Sequence, residues 1–411
     1  MSRIDGLIAD LCPDGVEVVP LWSVTSWDKR FNAVERWKQP RVMKYHYLLA
    51  NDLKPLMVSG GKVKLLTTNT SDCWTSEELA GNLCSEREVI AIPWGGNPNV
   101  QYYKSTFLTA DNRIAISNDT NILDTKFLYY VMLGDLKVIA SFYRGSGIKH
   151  PSMAQILDLP IPLPPPEVQR EIVAILDTFT ELEAELEAEL EARKRQYEYY
   201  REALLRLDGK SGIKWIDDLC PDGVEYTPLG SLGKRNKGTS ITAGKMKVIQ
   251  KASGPVRVFA GGQTVADVAE ESIPSKDVIR VPSIIVKSRG NIGFTYYDKP
   301  FTHKAELWSY SISRSDIDQK FVYYYLLTRV DVLQEIARAT SVKLPQLGVK
   351  DTDTLSIPIP PLEVQREIVN VLDKFDALVN DLSIGLPAEL AARRKQYEYY
   401  RDQLLTFKEA V

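Results

Sequence analysis

Glu167-Val-Gln-Arg-Glu-Ile-Val173 occurs a second time, residue for residue, as Glu363-Val-Gln-Arg-Glu-Ile-Val369. Each copy follows a proline-rich exit, Leu159-Pro-Ile-Pro-Leu-Pro-Pro-Pro166 in one case and Leu355-Ser-Ile-Pro-Ile-Pro-Pro-Leu362 in the other. Prolines keep a chain extended and are then tolerated at a helix start, where the missing N–H has no intrahelical acceptor. Glu167, Glu171, Glu363 and Glu367 fall in the first turns, where the helix dipole favours acid. Both stretches therefore read as junctions between a globular part and a helix, and their identity points to a duplicated unit.

Working outward, the duplication extends along the chain in a constant order. Asp10-Leu-Cys-Pro-Asp-Gly-Val-Glu17 returns as Asp218–Glu225, and Gln196-Tyr-Glu-Tyr-Tyr-Arg201 returns as Gln396–Arg401. Phe127-Leu-Tyr-Tyr-Val-Met-Leu133 resembles Phe321-Val-Tyr-Tyr-Tyr-Leu-Leu327. Between these blocks, residues 25–120 and 233–310 show little likeness. One frame with two different interiors is the pattern of two modules that share a scaffold and differ in target; drift of loops after duplication is the competing account.

Local patterns predict mixed α/β (α+β) globular parts. The Cys-Pro-Asp-Gly turns lead into strands at Val16–Val19 and Val224–Thr227. Further strands are expected at Glu88–Ile92, Arg113–Ser117, Pro282–Lys287 and Trp308–Ile312. Helices are expected at Thr125–Ile139 and Gln319–Ala337. The pattern leaves the strand order open. The resulting division is 1–166, globular; 167–208, helical spacer; 209–357, globular; and 358–411, helical.

From Glu167 to about Leu207 no Gly or Pro interrupts the chain, and the Glu-Ala-rich stretch has high helix propensity. Ile175, Phe179, Leu182, Leu186, Leu190, Tyr197, Tyr200, Leu204 and Leu207 form a narrow apolar seam, as in a coiled coil. Phe375, Leu378, Leu382, Leu386, Leu390, Tyr397, Tyr400, Leu404 and Phe407 repeat it. Gly385 and Pro387 are expected to bend or break the second helix. If the seams pair, the second helix runs back antiparallel to the first and the two globular parts are related by a pseudo-twofold axis. Such an object suits a split site on duplex DNA, which has matching dyads; a plain stabilising bundle is the alternative.

The 411 residues exceed a single core, and the mixture of 44% hydrophobic and 26% charged residues is that of a globular protein. No eighteen-residue apolar run or signal-peptide core is evident, which predicts a cytoplasmic protein without membrane attachment. The net charge of −3 conceals a contrast between segments. Residues 167–208 hold 6 Lys+Arg against 12 Asp+Glu, whereas residues 209–357 hold 21 against 16. Acid is concentrated in the helix and base in the second globular part.

Cys12, Cys73, Cys84 and Cys220 form no C-x-x-C pair and read as reduced. With only His46, His150 and His303 besides, no metal site is expected. No amino-methyltransferase motif and no phosphate loop is found. Pro13-Asp14-Gly15-Val16-Glu17 lacks the lysine that would make it a nuclease site. A stand-alone methyltransferase or nuclease, and a coiled-coil adaptor binding protein only, are the rival classes.

The stretch Gly145-Ser-Gly-Ile-Lys149 to Ile172, matched by Thr340-Ser-Val-Lys-Leu344 to Ile368, resembles the junction of specificity subunits in type I restriction–modification systems. The Leu-Cys-Pro-Asp-Gly-Val-Glu and Arg394-Lys-Gln-Tyr-Glu-Tyr-Tyr-Arg401 blocks do so too, and the likeness spans nearly the whole chain twice. The resemblance implies two target-recognition domains, each reading one half of an interrupted DNA sequence. It implies no catalytic residue and no cofactor in this chain. Two modification subunits would supply S-adenosylmethionine-dependent adenine-N6 methylation, and restriction subunits would supply ATP- and Mg-dependent translocation and cleavage. The Gly385/Pro387 interruption departs from an unbroken second helix.

On that basis phosphate and base contacts are expected from loops. In the first globular part the candidates are Lys29, Arg30, Lys44, Thr68 and Asn69, Trp94 and Asn97, and Arg144 and Lys149 at the junction. In the second they are Lys234, Arg235, Lys237, Lys245, Lys247, Lys287, Arg289, Asn291, His303, Lys304 and, at the junction, Lys343. Arg289 and Asn291 match guanine and adenine edges respectively. The Tyr-rich helix ends are expected to pack in the core.

Overall fold

The computed structural model describes residues 3–207, 209, 211–340 (Thr340 by its backbone) and 343–410. Two compact units result: unit 1 is Met1–Glu185 with Leu390–Val411, and unit 2 is Leu186–Glu389. Each helical region of the sequence is thus shared between units. Asp208, Ser341 and Val342, which fall in the predicted spacer and the second junction, lie outside the described residues.

In unit 1 the strand Glu17–Pro20 pairs antiparallel with the proline exit Pro160–Leu163. A six-stranded sheet follows the order Thr25–Trp27, Asn112–Ser117, Ser85–Pro93, Gln101–Thr109, Val63–Leu66, Cys73–Thr75. The run Val89-Ile-Ala-Ile92 is apolar throughout because both faces of its strand are covered. Ile90 and Ile92 pack with Phe127 and Leu128, while Val89 and Ala91 pack with Leu66, Phe107 and Ile114. That is the two-residue alternation of a strand expressed as two cores.

Unit 2 reaches the same order from a different sequence. Glu225–Pro228 pairs with Ser356–Ile359. A four-stranded sheet runs Gly233–Lys237, Trp308–Ile312, Ser283–Lys287, Gly293–Tyr297, and a three-stranded one runs Val265–Val268, Val256–Phe259, Phe301–His303. The strand that is continuous from Gln101 to Thr109 in unit 1 is here divided by Asp298-Lys-Pro300, and a proline cannot donate to a ladder. In both units its later part pairs parallel with the next strand, Val63–Leu66 or Val256–Phe259. The divergent interiors share one topology.

The frame residues explain the repeat. Gln169 is fully buried; its Oε1 accepts from the Asp124 N–H (2.8 Å) and its Nε2 donates to the carbonyls of Ile122 (2.8 Å) and Pro164 (2.7 Å). Gln365 does the same with Asp318 (2.8 Å), Asp316 (3.0 Å) and Pro360 (2.7 Å). Asp177 receives Lys126 at 2.6 Å and the Tyr130 hydroxyl at 2.5 Å, and Asp373 receives Lys320 at 2.7 Å and Tyr324 at 2.6 Å. Burial and the adjacent carboxylate push both tyrosines well above the ordinary phenol value. Each helix start is therefore bolted to its own unit by the same five hydrogen bonds.

The long helix is Pro166–Leu205, 40 residues without interruption, or roughly 60 Å. Its counterpart is two helices, Leu362–Asn380 and Leu386–Leu404. The expected break therefore falls at residues 381–385. A side chain on Gly385 would meet the Ala377 carbonyl at 2.4 Å, so only glycine lets the chain turn there. The seam is corrected at this point: Leu382 is 82% exposed, because it sits in the break between the two helices. Within unit 1, Phe179 meets Tyr397 and Tyr400 at ring distances of 6.4 and 5.5 Å, and Glu183 meets Arg394 at 2.6 Å. Rising numbers on one helix meet falling numbers on the other, so the segments are antiparallel. In unit 2, Phe375 meets Tyr197 and Tyr200 at 6.3 and 5.4 Å. Among the described residues no helix is long and apolar enough to cross a membrane.

Candidate nucleic-acid interface

In each unit the central strand ends in a hairpin loop, and that loop is clasped by the junction segment. In unit 1 the loop is residues 94–100, between Ser85–Pro93 and Gln101–Thr109. The Gly96 N–H donates to the Lys149 carbonyl at 3.0 Å, and His150 Nδ1 donates to the Trp94 carbonyl at 2.7 Å. In unit 2 the loop is residues 288–292, between Ser283–Lys287 and Gly293–Tyr297. Here the Gly290 N–H donates to the Pro345 carbonyl at 2.9 Å, and Arg289 bridges Gln346. Both glycines have positive φ, +107° and +71°.

Around the unit 1 loop several expected residues come together. Lys29 lies over the Trp94 ring at 4.8 Å, and Arg113 lies against the same ring at 5.0 Å. Asn99 Nδ2 donates to the Thr68 carbonyl at 2.8 Å and Gln101 Nε2 to that of Thr67 at 2.9 Å, which brings the Thr68–Asn69 stretch to the loop. Asn97, Lys149 and Arg30 are exposed nearby or in sequence continuity with these groups. Arg144 is engaged by Gln155 at 3.0 Å at the base of the junction loop. Lys44 is exposed between two backbone bridges, Trp27 with Val42 and Tyr47 with Thr109.

Sequence reading missed the support beneath this surface. Arg113 is 1% exposed and pairs with Asp28 at 2.8 Å and with Asp111. Burial raises the Asp28 carboxyl above its ordinary value in spite of the Arg113 charge. Tyr47, half exposed, also faces Arg113, at 5.9 Å. An arginine inside the apolar strand Asn112–Ser117 was the available signal. His150 was weighed only as a metal ligand, whereas its ring lies 5.7 Å from that of Trp94, tilted by 51°.

In unit 2, Arg289 and Asn291 are exposed on the loop, and Lys343 is exposed on the clasping segment. Ser288 Oγ donates to the Glu306 carbonyl at 2.7 Å, which draws the Lys304 turn against the loop. Lys304 is itself paired with Glu306 at 2.6 Å, and this holds the Glu306 carboxyl below its ordinary value against the opposing effect of burial. Lys287 is the last residue of its strand, and burial lowers its amine.

Several loop expectations in unit 2 are corrected. His303 is fully buried in the strand Phe301–His303, its ring bonded to Ser309 Oγ at 3.2 Å, so it cannot reach a ligand. Lys234, Arg235 and Lys237 belong to the edge strand Gly233–Lys237, and Arg235 is engaged by Asp353. Lys245 and Lys247 sit on the short helix Ala243–Ile249, where Met246 supplies the buried face. The apolar stretches beside these lysines concealed the periodicity change. Along the edge strand runs a groove of about 520 Å³ lined by Lys234, Lys237, Lys276 and Arg280, of which the last two were not foreseen. In unit 1 the matching edge is covered, with the Met43 N–H donating to the Trp27 carbonyl at 2.9 Å.

Among the described residues no cluster of three or more His, Cys, Asp or Glu side chains is placed to hold a metal ion. Cys12, Cys73, Cys84 and Cys220 are unpaired and half-buried.

A family model described as the type I restriction modification DNA specificity domain matches residues 76–192 and 221–392. The specificity subunit of the type I restriction enzyme EcoR124I/EcoR124II of Escherichia coli is 32% identical over 72% of this chain and 74% of its own length. A putative specificity subunit of Haemophilus influenzae is 28% identical over 78% of this chain and 83% of its own. Among solved structures, the S subunit of a type I restriction–modification system from M. genitalium superposes with a TM-score of 0.63 at 18% identity, covering 95% of this chain and 96% of that one.

Proposed function

This chain belongs to the type I restriction–modification DNA specificity family, and from that premise we propose that it reads a split duplex target, one half with each unit. The observation that carries the proposal is the pair of clasped hairpin loops. Both are held by the same frame at the end of the same strand order, and their side chains differ. A two-stranded ribbon fits the major groove of B-DNA, where every base pair is distinguishable. Lys29 and Lys149 in unit 1, and Lys237, Lys276 and Lys343 in unit 2, would contact phosphate and set affinity and register.

In this reading the chain recognises and positions, and the chemistry belongs to partners. Two modification subunits carrying S-adenosylmethionine methylate adenine N6, and restriction subunits using ATP and Mg cleave. The duplicated helical frame supports two copies of one partner, since each unit presents the same Gln-Tyr-Glu-Tyr-Tyr-Arg block. The work is cytoplasmic. The test is sequencing of methylated adenines in cells with and without the gene. A split motif that disappears with the gene is expected. A contiguous motif, or S-adenosylmethionine binding by the isolated chain, would overturn the reading.

A further inference from the structure

Residues 94–97 are Trp-Gly-Gly-Asn and residues 288–291 are Ser-Arg-Gly-Asn. In interiors otherwise so different, the loop tips agree in one dipeptide, Gly96-Asn97 and Gly290-Asn291. The agreement extends to geometry. Each glycine has positive φ, each donates its N–H to the clasping segment, and each is followed by an exposed asparagine. The side-chain amide of neither Asn97 nor Asn291 takes part in a hydrogen bond among the described residues, whereas neighbouring Asn99 and Gln101 are spent on the Thr67–Thr68 backbone. No Cβ contact explains glycine at 96, which has open space around it, and at 290 the nearest atom is a leucine methyl at 3.8 Å. The glycines are needed for the turn, and the turn delivers the asparagine.

We propose that Asn97 and Asn291 are matched specificity residues, each reading one adenine, one in each half of the split target. The chemistry is that of the amide: its carbonyl accepts from adenine N6–H and its NH2 donates to N7, a pair of bonds no other base offers in the major groove. An exposed, uncommitted amide on a backbone fixed at both sides meets that requirement at little ordering cost. The flanking residues then separate the two halves, because Arg289 in unit 2 adds a guanine-type fork where unit 1 has Gly95. The proposal rests on the split-target reading given above.

The test uses the full chain assembled with its modification subunits and a pool of randomised duplex DNA, from which bound molecules are selected and sequenced. Wild type is expected to yield a split motif. Asn291→Ala should relax a single A·T pair in one half, and Asn97→Ala a single A·T pair in the other. The loss of discrimination at each is on the order of 10- to 100-fold. Asn291→Asp keeps the size of the side chain but removes the donor, and should move the preference at that one position from adenine to cytosine. A split motif that both alanine variants leave intact, or that relaxes at G·C pairs, overturns this inference while the functional reading stands. A wild-type pool without a split motif overturns both.

Discussion

In unit 1 the strand residue facing the base of the hairpin is Arg113, buried with Asp28 and stacked against Trp94. The matching place in unit 2 holds Trp308, whose Nε1–H donates to Thr352 Oγ1 at 3.0 Å, with the Tyr310 hydroxyl on the same oxygen at 2.7 Å. One loop is propped on a buried charge pair and the other on an indole–hydroxyl network whose Tyr310 hydroxyl also reaches the half-buried Asp353 carboxylate at 2.6 Å. The frame that carries them, Gln169 and Gln365 with Asp177 and Asp373, is the same to within a few tenths of an ångström. Duplication has preserved how the loop is held and released what stands beneath it.

The largest test of that contrast is Arg113→Met. It leaves the Asp28 carboxylate buried without its cation, and should cost about 3–5 kcal/mol of unit 1 stability by denaturant unfolding. Trp308→Phe in unit 2 removes one neutral bond and should cost about 1 kcal/mol. Equal losses would mean the two supports are not different in kind. Next, Gln169→Ala and Gln365→Ala should each cost about 2–3 kcal/mol, since each leaves buried backbone groups unpaired. A large disparity between them would break the equivalence of the frames.

A smaller effect is expected at the loop tips. Gly290→Ala should cost about 1–2 kcal/mol, the penalty of a left-handed residue with a side chain. Gly96→Ala should cost more, because a φ of +107° lies further from the region open to alanine. The smallest effect concerns acid, read by hydrogen exchange resolved by unit. Asp267 accepts two bonds from Arg257, at 2.7 and 2.8 Å, which lower its carboxyl below the ordinary value. Its contribution is present above the unfolded value of about 3.9 and is lost as pH falls through the lower folded value. Asp28, raised by burial, has the opposite sign: its contribution is present below about 3.9 and is lost as pH rises through the folded value. Acidification should therefore loosen the Asp267 hairpin, by less than about 1 kcal/mol for a half-exposed pair, and Asp267→Asn should abolish the change.

The frame was legible because it is written twice. Identical blocks located both junctions and helix starts, the prolines marked the exits, and Gly385 with Pro387 marked the break in the second helix. The strand Ser283–Lys287 was visible as an apolar run and Trp308–Ile312 as an alternation of large residues with serine. The strand order was not, since a parallel pairing such as Val258 with Thr302 depends on contacts far apart in sequence. The loop residues were legible where glycine and asparagine mark a turn, as at 96–97 and 290–291. They were not legible where polarity alone suggested a loop. His303 is polar and buried, and Lys234 and Lys237 sit on a strand whose backbone is paired with Trp308–Ile312. Arg113 was passed over because a charge in an apolar strand has meaning only once its partner Asp28, distant in sequence, is known.

Residues 390–410 belong to unit 1, where Val16 receives the Ala410 N–H at 3.0 Å and donates its own to Lys408 at 2.8 Å. Unit 2 is one continuous stretch enclosed between the parts of unit 1. During translation the enclosed unit has all its residues before the enclosing one does, although it comes second in the message. A stop codon near the 3′ side of the coding region would then injure the head encoded at the 5′ side, and genetic lesions would map far from the domain whose behaviour they alter.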